Sequence, residues 1–197
     1  MPRSTITTLL TAAALLMAIA APAGAHVGIG ATSSFGPGFA HPFSGLDHIA
    51  AMVAVGLWAG LKGGRALWLW PAAFVAVMLA GGALAIAGVE LPLVEPGILA
   101  SIVAVGLLVA LAVELPVAAG AAIVGGFALF HGHAHGGEMP ATSSGLAYFA
   151  GFGLATTLLL GVGMASAIAG GLRHRTLIRL AGGAVSALGV GLFVGAF

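Results

Sequence analysis

Two stretches of this chain concentrate side chains able to hold a metal ion. The first reads His41-Pro42-Phe43-Ser44-Gly45-Leu46-Asp47-His48, the second His131-Gly132-His133-Ala134-His135-Gly136-Gly137-Glu138. Neutral imidazole is a good ligand for nickel, copper, zinc and iron, whereas carboxylate-only sites favour magnesium or calcium. Histidines accompanied by Asp47 and Glu138, in a chain without cysteine, therefore suit a borderline divalent cation, with nickel or cobalt fitting at least as well as zinc. On continuous helices His41, His48 and Met52 would form one stripe, and His131, His135 and Glu138 another. Asp47 falls about 100° round the axis from His48, and His133 points elsewhere. The carboxylates would balance the ion's charge or orient the imidazole rings. Gly132, Gly136 and Gly137 predict a bend or unwinding that would free backbone carbonyls as further ligands. Helix capping and hydrogen bonding between helices would explain one such histidine, but they explain two clusters poorly.

The elements that must position these residues are membrane helices. Only 6% of the 197 residues are charged and 60% are hydrophobic, against roughly 25% charge in a soluble domain. The chain therefore reads as an all-α integral membrane protein with one compact domain and a lipid bilayer as its surroundings. Nucleic-acid binding has no support, because basic residues occur only in short loop groups. The apolar runs Ala50 to Leu61 and Val117 to Phe130 fall short of the roughly 20 residues a spanning helix needs. Each reaches full length only if its polar motif enters the hydrocarbon, where ionisable groups are costly and mark function.

Residues 1–25 have the pattern of a cleavable signal peptide: Arg3, an apolar run from Leu9 to Ala20, and Ala23-Gly24-Ala25. Residues 26–197 would form the six-helix membrane domain, and a free His26 could chelate metal through its amine and ring together. Six transmembrane helices are expected after the leader, at about 42–61, 66–88, 96–114, 116–135, 145–169 and 177–197. A cleaved leader places the mature N-terminus in the periplasm. Lys62, Arg65, Arg173, Arg175 and Arg179 then all face the cytoplasm, as the positive-inside rule requires. Glu90 and Glu95 fall outside, and both histidine motifs reach the periplasmic face. Trp58, Trp68 and Trp70 are expected at the cytoplasmic interface, Met52 in the core and Glu114 in solvent. Gly56/Gly60, Gly132/Gly136 and Gly191/Gly195 are small-residue pairs that allow close helix packing.

At its two motifs the chain resembles the HupE/UreJ family of bacterial nickel permeases. The resemblance is carried by His41-Pro42, Gly45, Asp47-His48 and the run Met52 to Ala59. It continues in Phe130-His131-Gly132, Ala134-His135-Gly136 and Glu138, and covers nearly the whole chain. It implies uptake of nickel, sometimes cobalt, across the inner membrane in connection with hydrogenase or urease. The residues it implies for the metal are His41, Asp47, His48, His131, His135 and Glu138.

The function expected is a secondary permease, not an enzyme, with Ni2+ or Co2+ as transported substrate and no cofactor required. No Walker A motif is present, so the chain itself has no means to hydrolyse ATP. Two alternatives come from other classes: an intramembrane metal-dependent hydrolase, which here would lack an H-E-x-x-H motif, and a nickel-binding accessory membrane protein. Homo-oligomerisation stays open.

Overall fold

The computed structural model describes residues 34–139 and 144–196. The leader at 1–25 and His26 lie outside the described residues. Every regular element within them is helical, and no strand occurs there. A short helix α1 (Phe35–Ala40) continues into a 3-10 turn (His41–Phe43). The long helices follow: α2 (Leu46–Lys62), α3 (Ala66–Ile86), α4 (Val94–Ala110), α5 (Val117–Gly137) and α6 (Gly145–Gly170). A second 3-10 turn (Leu172–His174) leads into α7 (Arg175–Phe193).

The six segments expected from the sequence overlie α2 to α7, one each. By length and composition four of these, α3, α5, α6 and α7, can cross a bilayer. A fifth span arises only if α1 with its 3-10 turn is joined to α2, and those two pieces are bent by 81°. Helix α4 is apolar but has 17 residues, about 25 Å at 1.5 Å per residue. The protein is thus an all-helical, multi-pass membrane protein.

The first expected helix, 42–61, is corrected by that bend. Gly45 sits in extended conformation at φ −113°, ψ 129°, and α2 begins one residue later. His41 therefore does not share a continuous helical stripe with His48 and Met52. A second correction concerns α5, which stays helical through Gly137 with no unwinding among its glycines. The reason is packing: a Cβ at Gly132 would fall on the Met78 carbonyl of α3, and one at Gly136 on that of Gly82.

Glycine contacts of this kind join the helices in pairs. Gly56 of α2 lies against the Leu160 carbonyl of α6, and Gly163 of α6 lies against Val53 of α2. Gly106 of α4 meets Gly182 and Ser186 of α7. Lipid offers apolar side chains no less favourable a solvent than protein does, so close backbone approach and dispersion must supply the association. The Gly191/Gly195 pair is different. Gly195 lies beyond α7 with φ +68° and no neighbour within 4 Å, so it terminates the helix and packs nothing.

Two of the three tryptophans also depart from expectation. Trp58 and Trp70 are fully buried with ring centroids 4.3 Å apart. Their indole N–H groups donate to the carbonyls of Val113 at 2.9 Å and Val117 at 2.8 Å. They clamp the α4–α5 connection from inside, because a buried indole must find an acceptor. Trp68 alone faces outward. At the same end Lys62 approaches Glu114 at 3.9 Å and Arg179 donates to the Ala110 carbonyl at 2.7 Å. The basic connections thus gather at the end of the bundle opposite the histidines.

Candidate metal site

The α2 N-terminus, the bent 3-10 turn, the last turns of α5 and one face of α4 converge on a single polar cluster. Helix α5 presents His131 and His135 four residues apart on one face, and Glu138 at its C-terminal cap. Helix α2 brings Asp47 and His48 in its first turn. The 81° bend lays His41 over the end of α5 instead of along α2. All six residues singled out in the sequence meet here, from two regions almost ninety positions apart.

The contacts run as a chain from the open end inward. His41 Nε2 lies 3.1 Å from Glu138 Oε2, and His135 Nδ1 lies 3.4 Å from the same oxygen. The opposite nitrogen of His135, Nε2, is 3.2 Å from His48 Nδ1. That atom in turn is 3.0 Å from His131 Nδ1. Asp47 Oδ2 flanks the other nitrogen of His48 at 3.5 Å. Exposure is highest at the open end, 58% for Glu138 and 27% for His41, and low at the three inner rings, 1% for His135, 8% for His48 and 0% for His131.

Two donor groups share His135. At the open end, ligand atoms of His41, His135 and Glu138 lie within 4.8 Å of one another. Deeper in, His48 Nδ1, His131 Nδ1 and His135 Nε2 form a second group. Imidazole nitrogens about 2.0–2.1 Å from one divalent ion stand about 3 Å apart when bound at right angles. The spacings of 3.0 and 3.2 Å match that edge, so little rearrangement is needed to seat an ion. The neighbouring His135 ring holds the Glu138 carboxyl below its usual range, against the opposing effect of its partial burial. The outer end therefore keeps its negative charge at neutral pH.

Aromatic rings wall the cluster. Phe152 of α6 lies 4.5 Å from the His135 ring, Tyr148 lies 6.0 Å from His41, and Phe74 of α3 lies 6.0 Å from His131. The wall fixes the rings by contact. Gly45 admits the acidic side chain, since a Cβ there would fall on Asp47 Oδ1 and stand 3.0 Å from His48 Cδ2. His133 stays apart, as expected, with Nε2 at 2.7 Å from the Val89 carbonyl. It ties α5 to the α3–α4 connection.

One participant was not foreseen from the sequence. Ser101 of α4 is buried, and its Oγ lies 2.9 Å from His131 Nε2. The available signal was slight: Ser101 is the sole polar side chain between Glu95 and Glu114.

Comparison with known proteins identifies the family of the chain. Residues 14–192 match the family model described as HupE / UreJ protein. The chain is 49% identical over 197 residues to Protein HupE of Rhizobium leguminosarum bv. viciae, covering 99% of this chain and all of that one. No solved structure matches. The family match spans both histidine motifs and nearly all the helices between and beyond them, and the chain belongs to the HupE/UreJ family.

Proposed function

We propose that this protein is a secondary permease that takes up nickel, with cobalt as the second candidate cargo, across the bacterial inner membrane. One observation carries the reading: a continuous row of imidazoles leads from the exposed Glu138–His41 pair to the buried His48–His131 pair. A site that only stored metal would need no donors graded from solvent into the bundle. In this reading α2 to α7 are six transmembrane helices, residues 1–25 are a cleaved leader, and the histidine end faces the periplasm. The gathering of Lys62 and Arg179 at the far end supports that orientation.

The ion is captured by His41, His135 and Glu138 and passes inward by exchange of ligands at His135, which serves both donor groups. His48 and His131 receive it, with Asp47 offsetting its charge. Helices α2 and α5 then shift relative to one another to open the path to the cytoplasm. The membrane potential supplies ~2.3 kcal/mol per charge per 100 mV, and twice that for a divalent ion. Uniport is energetically sufficient.

Purified protein in sealed liposomes with an imposed potential tests this directly. A permease loads the vesicle interior with radioactive nickel, and cobalt competes. Nickel that binds but never enters would identify an accessory binding protein. Lipid or peptide cleavage with stoichiometric zinc would identify the hydrolase instead.

A further inference from the structure

We propose that Ser101 is a positioning residue that locks His131 in the tautomer with a bare Nδ1, aiming that nitrogen's lone pair at the ion path. The inference rests on the proposed role of the imidazole cluster as the ion's binding site.

The argument is a count of protons. A serine hydroxyl has one proton to donate and lone pairs to accept with. Ser101 Oγ donates that proton to the Ile98 carbonyl, one turn back in α4, at 2.6 Å. The remaining contact, 2.9 Å to His131 Nε2, then requires the ring to donate. A neutral imidazole carries a single N–H. With that proton on Nε2, His131 Nδ1 is bare and faces His48 Nδ1 at 3.0 Å.

A second ring is biased in the same sense. Asp47 Oδ2 beside His48 Nε2 at 3.5 Å favours the ring proton on the nitrogen facing away from the centre, whereas His135 Nδ1 faces Glu138 at 3.4 Å without a hydrogen bond and is left to the outer donor group. His131, hydrogen-bonded at its far nitrogen, and His48, flanked there by a carboxylate, thus turn their near nitrogens to a common point. Two bare nitrogens 3.0 Å apart repel one another, and a cation between them removes the repulsion. Ser101 is the uncharged member of this set. A carboxylate at this depth would carry a full charge into a buried, nearly apolar face, whereas a hydroxyl fixes the ring at no such cost.

The test uses the full chain, labelled with 15N-histidine and held in nanodiscs without metal. The His131 ring signals are identified by their loss in His131→Gln. Expected is a ring protonated at Nε2 in the unaltered protein and a mixed population in Ser101→Ala. Nickel binding to the purified protein should weaken about 10–100-fold in Ser101→Ala. Ser101→Thr, which keeps the hydroxyl, should stay within a few-fold of the unaltered protein, and uptake by Ser101→Ala should show a raised KM with little change in kcat. Melting temperatures without metal separate positioning from general destabilisation. A His131 ring protonated at Nδ1 in the unaltered protein would overturn the proposal, as would undiminished nickel affinity in a folded Ser101→Ala. Should the protein bind nickel but fail to transport it, the ring spectrum still decides the role of Ser101, so failure of the permease reading is distinguishable.

Discussion

His48 Nδ1 and His131 Nδ1 stand 3.0 Å apart, although 83 residues separate them in the chain. Each ring has an oxygen at its far nitrogen, from Asp47 and Ser101 respectively. The pair is therefore better arranged to share a cation than to share a proton. His135 links it to the open end, 3.2 Å from His48 Nδ1.

Removal of His48 takes away the one ring that touches both His131 and His135. His48→Ala and His135→Ala should each reduce radioactive nickel uptake by cells roughly 10–100-fold or more. The amount of protein inserted in the membrane, followed by immunoblotting, should be unchanged. His133→Ala is the internal comparison: its ring bonds to the Val89 carbonyl away from the cluster, and uptake should persist. Normal uptake in both of the first two variants would end the binding-site reading.

External pH should act through the rings and not through the carboxylate. Free imidazole titrates at about pH 6.5, and only the neutral ring coordinates metal, so protons compete with nickel as pH falls. Glu138 is held below the usual carboxylate range, first by His135, so it remains ionised across that interval. Its charge therefore cannot account for a loss between pH 7 and pH 5. Burial and then the neighbouring His135 hold His41 below that free value, so uptake at subsaturating nickel should be level down to about pH 6.5 and decline only below it. A decline that begins well above about pH 6.5 would argue against protonation of His41 as its cause.

The number and order of the long helices were legible because apolar runs and prolines mark membrane segments strongly. The convergence of the two motifs was legible as well, since alternating helices bring the start of one and the end of another to the same end. Less visible was how His41 reaches the cluster. A helical stripe assumes a straight axis, but Gly45 is extended and an 81° bend swings His41 over α5. Ser101 escaped because a lone serine in an apolar run carries no periodic signal. Its importance depends on α4 packing beside α5, which is tertiary information. Trp58 and Trp70 misled for a related reason. Tryptophan near a basic loop is common at interfaces, yet their N–H groups found acceptors in a neighbouring turn.

Glycine packing between α3 and α5 sets the distance between the site and its support. Gly132→Ala places a methyl group on the Met78 carbonyl, a backbone atom that cannot swing aside. Overpacking of this sort costs about 1–3 kcal/mol, so the melting temperature in detergent should drop. Gly126, on the same helix, has nothing within 4 Å of an added Cβ. Gly126→Ala should be neutral or raise stability by up to about 1 kcal/mol, the helix-propensity difference. Equal effects in the two variants would mean that α3 and α5 are not in close contact.

The end of α4 supplies a prediction of opposite sign. Ala112 has φ +50°, and the chain reverses there through Ala112 N–H to the Val109 carbonyl at 3.0 Å and Val113 N–H to the Leu108 carbonyl at 2.9 Å. This is the paired closure in which glycine usually occupies the left-handed position, as Gly88 does at the end of α3 with φ +76°. An alanine there costs roughly 1–2 kcal/mol because its Cβ crowds the following carbonyl oxygen. Gly also loses more freedom on folding, which returns part of that gain. Ala112→Gly should therefore raise stability by about 1 kcal/mol or less, read as a higher melting temperature with nickel uptake unaltered. A lower melting temperature would show that the turn, clamped by Trp58 on the Val113 carbonyl, does not hold Ala112 in the left-handed conformation.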